Sequence, residues 1–194
     1  MSARLRRHGD LPTALRAAAR QILDENGSQA VALRETARRV GVSATAAYRH
    51  FTSKDDLLAS VAAEGFRDLA AAMHGAARGP NLLTRAGLAY IEFADQNPGL
   101  FRLMFGPLLA ERTEHPALDA ASRDVEEVMR RGVADLDERA LYDNQAAMAA
   151  WGLMHGLSHL VVEGCIPAAQ AKAQAEEILT KIRLPRPPVS EPVL

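Results

Sequence analysis

Apolar side chains recur every three or four positions along most of the chain, which is the period of a helix with one buried face. The first such stripe consists of Leu11, Leu15, Ala18, Ala19 and Ile22. Asp10 precedes the stripe and is a suitable N-cap, while Asn26-Gly27 follows it as a typical helix end. The pattern therefore predicts a first helix between these two positions.

Two short helices and one long helix are predicted next. The first short helix covers 33–40, and the second runs from Ser43 to about His50. Ser53 then precedes a long apolar stripe, and Asp56 stands three residues later as its capping-box partner. This order predicts three helices that are followed directly by a long fourth helix.

Beyond Gly75, where the stripe of the long helix ends, prolines and glycines divide the chain into further helices. These helices are predicted over 81–96, 98–105, 116–135, 140–164 and 168–183. No run alternates with the period of two that marks a confident strand. The predicted fold class is therefore all-α, with an extended proline-rich tail over 185–194.

Composition narrows the location of the protein. Hydrophobic residues make up 48% and charged residues 24%, which is ordinary for a soluble globular protein. Charged residues interrupt every long apolar run, so no membrane span is predicted, and the N-terminus lacks the apolar core of a signal peptide. The only cysteine, Cys165, cannot form an internal disulfide. We therefore expect a cytoplasmic protein without a membrane partner.

The net charge of −1 hides an uneven distribution. Residues 1–50 carry a net charge of +5, and the remainder carries −6. A basic first quarter on an acidic body indicates a polyanion partner for the first quarter alone, although a chance fluctuation of surface charge is the alternative. The N-terminal RLRRH, residues 4–8, is either an arm that touches DNA or a disordered basic end.

The stretch RETARRV-GVS-ATAAYRH, residues 34–50, has the lengths of a helix-turn-helix. In this motif the second helix enters the major groove of DNA. Small residues at the start of that helix let it lie close to the bases, where Thr45 offers a hydroxyl and alanine methyls can pack on thymine methyls. Arg49 can reach a phosphate or a guanine edge. An ordinary helical corner with Tyr48 in its core is the alternative.

Eight positions of this stretch and the next helix match a known pattern, namely Gly41, Val42, Ser43, Tyr48, His50, Phe51, Lys54 and Leu57. With them, residues 10–60 resemble the N-terminal DNA-binding domain of TetR-type (tetracycline-repressor-like) transcriptional regulators. The resemblance implies a three-helix DNA-binding domain followed by a helical ligand-binding and dimerisation domain. It also implies a homodimer that binds a palindromic double-stranded DNA operator.

The resemblance assigns roles to individual residues. It implies that Tyr48, His50 and Lys54 contact phosphates or anchor the recognition helix, while Arg34 reaches in from the preceding helix. The complete DNA-binding set predicted in this way is Arg34, Ser43, Ala44, Thr45, Tyr48, Arg49, His50 and Lys54. The chain departs from the family pattern at Ala32, which lacks the usual capping hydroxyl, and at Thr36 and Ala47, which trim the core.

The second half of the chain carries a weaker resemblance. Trp151, His155 and Gly156 match a Trp…His-Gly subgroup of TetR-type C-terminal domains. The helix around them is apolar on two faces, which predicts that one face closes the protomer and the other packs on a second subunit. The last helix would complete a four-helix dimer interface through the stripe Ala171, Ala175, Ile178 and Ile182.

The resemblance implies a ligand-binding domain but does not fix the ligand, and the apolar residues of this domain are suited to a small hydrophobic effector. The apolar residues predicted to line its pocket are Phe93, Phe101, Met104, Phe105, Met148, Trp151, Met154 and His155. Plain core packing is the alternative for each of them. If an effector shifts the domain, the long helix from Lys54 is the natural connection to the DNA-binding domain.

The rival function is an all-helical metal-dependent protein or enzyme. His155, His159 and Glu163 recur at intervals of four residues and could offer ligands on one helix face. No second cluster supplies the missing ligands, and no nucleophile–base pair, phosphate-binding glycine loop or paired carboxylates are present in the sequence. We therefore predict neither an enzyme nor a cofactor.

The predicted organisation has four parts. Residues 1–53 form the helix-turn-helix domain, and 54–79 form a connecting helix. Residues 80–184 form the regulatory and dimerisation domain, and 185–194 form the tail. The predicted function is a ligand-responsive transcriptional repressor that a small hydrophobic effector releases from its operator.

Overall fold

A computed structural model describes residues 11–109, 114–136 and 144–181. The helices in this part of the chain are α1 Leu11–Asn26, α2 Leu33–Val40, α3 Ala44–Tyr48, α4 Lys54–Ala76, α5 Leu82–Gln96, α6 Pro98–Phe105, α7 Pro116–Leu136, α8 Asn144–Val162 and α9 Ala168–Lys181. Single 3₁₀ turns lie at Ser28–Ala30 and Pro107–Leu109. The predicted all-α class is confirmed. The basic RLRRH segment, the Asp10 cap, Ile182 and the proline-rich tail lie outside the described residues.

Two helices end earlier than the sequence predicts. The N–H groups of His50 and Phe51 both donate to the Ala47 carbonyl at 3.0 Å, which closes α3 at Tyr48 and turns Phe51 into the core. At the end of α8, Gly164 has a left-handed φ of 71°. The chain turns there because a glycine adopts this conformation without steric penalty.

The first three helices pack around one apolar cluster with the start of α4. Leu15 and Ile22 of α1 meet Leu33 and Ala37 of α2 and Leu57 of α4 in this core. Every one of these side chains is nearly inaccessible to solvent. The apolar faces of these helices therefore all point into one shared core.

Thr36 is a polar residue inside this core, at a position where the family pattern has an apolar one. Its side chain is completely buried, and its hydroxyl donates to the Ala32 carbonyl at 2.9 Å. The buried polar group is therefore satisfied within its own helix. Ala32 is the N-cap of α2 and makes no side-chain cap bond, in line with the missing hydroxyl.

Helix α4 connects the three-helix unit to the rest of the molecule. It packs most extensively against α7 and also contacts α1, α5 and α6. Leu58, Phe66 and Met73 are buried along its length, so the helix is part of both halves of the core. Gly65 lets α6 approach closely, because a Cβ at this position would lie 2.6 Å from Leu100 Cδ2.

The short helix α6 contacts four other helices. It packs on α1, on α4, on α5 and on α8. Arg102 of α6 forms an ion pair with Glu163 at 2.8 Å, and its Nη2 donates to the Val162 carbonyl at the end of α8. At the other end, Arg20 of α1 donates to the Asn97 side chain at 2.7 Å just before α6 begins.

Helices α8 and α9 are buried on one side only. Ala150, Met154, Leu157, Ser158, Val161 and Val162 of α8 face the protomer core. Gly152, Gly156 and Leu160 lie on the exposed face of the same helix. None of the helices in the described part is long and apolar enough to cross a membrane.

The predicted outward stripe of α9 is wrong. Ala171 and Ala175 are completely buried against the protomer itself, together with Leu179. Of the three residues of the predicted stripe that the structure describes, Ile178 alone is found on the outside, with 39% of its surface exposed. Alanines fit either a subunit interface or a close intramolecular contact, and α9 uses them to pack closely on α5 and α8.

Candidate functional site

The turn between α2 and α3 has the geometry of a helix-turn-helix. Gly41 adopts a left-handed conformation with φ 79° and ψ 30°, and the Val42 N–H donates to the Ala37 carbonyl at 3.0 Å. Ser43 then caps α3, because its hydroxyl accepts the Ala46 N–H at 3.2 Å. A glycine is needed at position 41, since other residues rarely adopt this conformation.

Helix α3 presents one face to the core and the other to solvent. Ala47 is completely buried in the core that α1, α2 and the start of α4 share, while Ala44 and Ala46 are half-buried. Thr45, Tyr48, Arg49 and His50 are exposed, and Tyr48 keeps 48% of its surface accessible. The alternative in which Tyr48 belongs to the core is therefore wrong.

The four arginines of this region divide into two pairs. Arg38 and Arg39 form ion pairs with Glu35, and Arg39 also pairs with Glu25 of α1 at 2.7 Å. The hydrogen bond from Arg38, assisted by one from Arg39, lowers the pKa of Glu35 to about 2. Two of the positive charges are thus neutralised beside α1.

The other two arginines, Arg34 and Arg49, are exposed and form no ion pair within the described part of the chain. His50 is exposed beside Arg49. Uncompensated positive charge therefore lies on the side of α2 and α3 that faces solvent. Such a surface attracts phosphates, and an Arg side chain can also bind the edge of a guanine.

Lys54 lies at the first position of α4 and is half-buried. Its ammonium donates to the Gln29 carbonyl at 3.2 Å, which ties the start of α4 to the α1–α2 connection. An ammonium has three donors, so two remain for a phosphate. Ser53 caps α4 through the Asp56 N–H at 3.0 Å, while the Asp56 carboxylate accepts the Thr52 N–H at 2.8 Å. The predicted N-cap therefore forms, but the Asp56 carboxylate accepts the N–H of Thr52 in place of that of Ser53.

The predicted effector residues fall into three groups. Phe93, Met104 and Met154 are buried in the core. An aromatic cluster consists of Phe101, Phe105, Trp151 and His155. The His155 ring is stacked on two of them, with its centroid 5.3 Å from that of Trp151 and 5.4 Å from that of Phe101. Met148 is separate from both groups, and 62% of its surface is exposed.

Sequence reasoning missed Tyr90, which lies at the centre of the aromatic cluster. Its side chain is completely buried on α5, and its hydroxyl lies 3.1 Å from His155 Nδ1. A buried tyrosine needs a hydrogen-bond partner for its hydroxyl, and His155 provides one. Its place within YIEFADQNPGLFRLMFG, residues 90–106, was the available signal.

A groove of about 530 Å³ opens between α7 and α8, and we call it the α7/α8 groove. Met148 and Trp151 line it, as two members of the predicted pocket set. The sequence reasoning missed the residues that α7 contributes, which include Glu126 and Met129. Met129 is buried in the core and Glu126 is exposed, and the amphipathic pattern of α7 does not indicate that α8 leaves a space beside them.

The candidate metal face is occupied by other interactions. The Glu163 carboxylate binds the Arg102 guanidinium, which lowers the pKa of Glu163, and His155 faces Tyr90. No group of three potential ligands occurs among the described residues. The arrangement on this helix therefore gives no support to a metal centre.

Two family models match the chain. Residues 15–61 match the model for bacterial regulatory proteins of the tetR family. Residues 83–182 match the model for the tetracyclin repressor-like C-terminal domain. Together these ranges include the helix-turn-helix, the aromatic cluster and the α7/α8 groove.

Solved structures share the fold over nearly the whole chain. A Rhodococcus protein of unknown function is 25% identical, with a TM-score of 0.74, and the match covers 91% of this chain and 96% of that one. The TetR-family transcriptional regulator PfmR of Thermus thermophilus is 20% identical, with a TM-score of 0.65 and coverage of 87% and 98%. The fatty acid degradation regulator FadR of Bacillus halodurans is 14% identical, with a TM-score of 0.69 and coverage of 90% and 96%.

Proposed function

We propose, from the premise that this chain belongs to the tetR family of bacterial regulatory proteins, that it is a homodimeric, ligand-responsive transcriptional repressor. Residues 1–53 are the proposed DNA-binding domain, 54–79 the connecting helix and 80–184 the regulatory domain. DNA binding by a helix-turn-helix is the function that the family establishes. Dimerisation, release by an effector and repression in the cytoplasm are our proposals.

The observation that carries the proposal is the exposed side of α3. Thr45, Tyr48 and Arg49 project from a helix whose buried side is held by Ala47, so the helix can enter a groove without losing its contact with the core. Arg34 of α2 is exposed as well and adds a second arginine without an ion pair in the described part of this domain. We assign direct base contact to Thr45 and Arg49, and phosphate contact to Tyr48, His50 and Lys54.

The exposed face of α8 supports the proposed homodimer. Gly152 and Gly156 are one helical turn apart, and a Cβ on either would meet nothing within 4 Å. Leu160 lies on the same face with 42% of its surface exposed, and Ile178 of α9 is exposed at 39%. A second copy could pack its own α8 closely against this face and bury these apolar side chains. A two-fold dimer would present two α3 helices to a palindromic site.

Effector control is proposed to pass through α4. The helix begins with Lys54 at the DNA-binding domain and continues into the regulatory core, where it packs on α6 and α7. An effector that binds more tightly to one arrangement of these helices would shift the position of α4, and with it the spacing of the two α3 helices.

The test begins with selection of bound duplexes from a random double-stranded pool, followed by fluorescence anisotropy on the selected operator. A palindromic consensus is expected. Arg49→Ala should weaken operator binding at least about tenfold and relax the base preference at the position that Arg49 contacts in each half-site. Arg85→Ala is the matched control, because Arg85 is an exposed arginine of α5 far along the chain from the motif.

The proposal fails if no duplex is selected. It also fails if Arg49→Ala and Arg34→Ala both bind the operator as tightly as the parent. Thermal unfolding of each variant accompanies the measurement, since a weakened complex counts only when the fold is retained.

A further inference from the structure

The α7/α8 groove is a space beside the regulatory core that is open to solvent. Its volume of about 530 Å³ falls within the range of small-molecule sites, about 300–1,000 Å³. Met129 of α7 and Ala147, Met148 and Trp151 of α8 give it an apolar lining. The site is therefore large enough for a drug-sized molecule and can bury apolar surface.

Trp151 and Met148 make the lining suited to a flat ligand. The Trp151 ring stacks on His155 on the core side, with ring planes 26° apart, and it also lines the groove. Met148 is the most exposed of the large apolar side chains in the described part of the chain. A planar ring on the indole would remove this apolar surface from water.

The charges around the groove are unevenly paired. Arg123 forms an ion pair with Asp119 outside the groove, while Arg130 and Arg131 both form ion pairs with Glu127. Glu126 also lines the groove, is exposed, and forms no ion pair within the described residues. The three arginines and three carboxylates cancel overall, but in the described part of the chain Glu126 has no arginine partner of its own. A carboxylate and an indole ring in the same groove both attract a cation.

We propose that the α7/α8 groove binds an apolar planar cation, whose rings lie on Trp151 and Met148 and whose positive charge lies beside the Glu126 carboxylate. This inference rests on the proposed function, because it names the chemical class of the effector. A neutral ligand would leave the carboxylate without a partner, and an anion would be repelled by it. Of the two arginines that line the groove, Arg123 already binds Asp119, and Arg130 binds Glu127, which it shares with Arg131.

The groove is connected to the rest of the regulatory domain through short contacts. Trp151 stacks on His155, and His155 faces the Tyr90 hydroxyl of α5 at 3.1 Å. On the other side, α7 packs on α4 more extensively than any other helix does. A ligand that moves α7 or Trp151 therefore acts directly on the helix that reaches the DNA-binding domain.

The test uses the fluorescence of Trp151, which is the only tryptophan of the chain. Full-length protein is titrated with three probes of nearly the same shape, namely the N-methylquinolinium cation, neutral 1-methylnaphthalene and the 1-naphthoate anion. N-methylquinolinium should change the fluorescence in a saturable manner and bind more tightly than the other two. Glu126→Gln should weaken its binding at least about fivefold, the factor that Coulomb attraction across about 4 Å of water provides, and leave 1-methylnaphthalene unchanged.

Asp124→Asn is the matched control. It removes an exposed carboxylate from the same helix at a position that does not line the groove, so the binding of the cation should not change. The inference is overturned if Glu126→Gln binds the cation as tightly as the parent, or if the neutral probe binds the parent equally well. It is also overturned if dilution of the protein alone reproduces the fluorescence change, because a second copy of the chain then occupies the groove.

Operator binding in the same preparation separates this inference from the proposed function. A protein that binds its selected operator but fails the probe test retains the regulatory function and loses the cation site. A protein that passes the probe test but selects no duplex retains the cation site, and the proposed function is then wrong.

Discussion

Gly65→Ala tests the close packing of α4 on α6. A Cβ at Gly65 would lie 2.6 Å from Leu100 Cδ2 and 2.7 Å from Met104 Sδ, and both side chains are buried. These distances are too short for carbon or sulfur contacts, so α6 or its side chains must shift. Gly75→Ala is the matched control, because Gly75 belongs to the same helix and its Cβ would meet nothing within 4 Å.

Two opposing effects give the magnitude. Replacement of a helical glycine by alanine stabilises a helix by about 0.5–1 kcal/mol, which applies to both variants. Overpacking of a filled core destabilises by about 1–3 kcal/mol, which applies to Gly65 alone. Gly75→Ala should therefore be slightly more stable than the parent, and Gly65→Ala should fall below Gly75→Ala by the full overpacking term.

Urea denaturation followed by circular dichroism measures this difference, and the slopes of the two transitions must agree for the comparison to hold. In a scanning calorimeter each kcal/mol should appear as about 2–4 °C in Tm for a chain of this size. Equal free energies of unfolding for the two variants would show that α6 can shift away from α4 without an energetic cost, and the inferred tight contact would then be refuted.

Three further predictions concern the DNA-binding domain. Ser53→Ala removes the N-cap of α4 and should lower the free energy of unfolding by about 1 kcal/mol in urea denaturation. Thr36→Ser keeps the hydroxyl that binds the Ala32 carbonyl but removes a buried methyl group, so it should lower the free energy of unfolding by about 1 kcal/mol. Thr36→Val should remain within about 1 kcal/mol of the parent, because the backbone N–H of residue 36 still binds that carbonyl. Glu35 has a folded pKa of about 2, below its ordinary value of 4.5, so its ion pairs add stability above pH 4.5 that is lost as the pH falls toward 2. Denaturation at several pH values should show a shallower acid loss for Glu35→Gln than for the parent, while Asp124→Asn, which lies outside any described ion pair, should keep the slope of the parent.

Local sequence signals were sufficient for the DNA-binding domain. Gly41, Ser43 and Ser53 each define a helix boundary by their own chemistry, and the structure confirms all three. Such signals act over four or five residues, so no knowledge of the tertiary fold is required. The early end of α3 was missed because it depends on the burial of Phe51, which is a tertiary contact.

The regulatory domain was predictable only as a set of helices. The contact between Tyr90 and His155 joins residues 65 positions apart, and no local pattern encodes such a pair. The α7/α8 groove likewise arises from the space between two helices, which depends on all their other contacts. Ala171 and Ala175 illustrate the same limit, because a stripe of small residues indicates close packing without indicating the partner.

The position of α6 has a mechanical consequence for the molecule. The eight residues Pro98–Phe105 touch α1 of the DNA-binding domain, α4 that leads from it, and α8 whose exposed face is the proposed dimer contact. A tilt of any one of these helices therefore acts on the other two through α6. In the regulator that we propose, a displacement that begins in the C-terminal domain would therefore reach the DNA-binding domain through α6 as well as through α4.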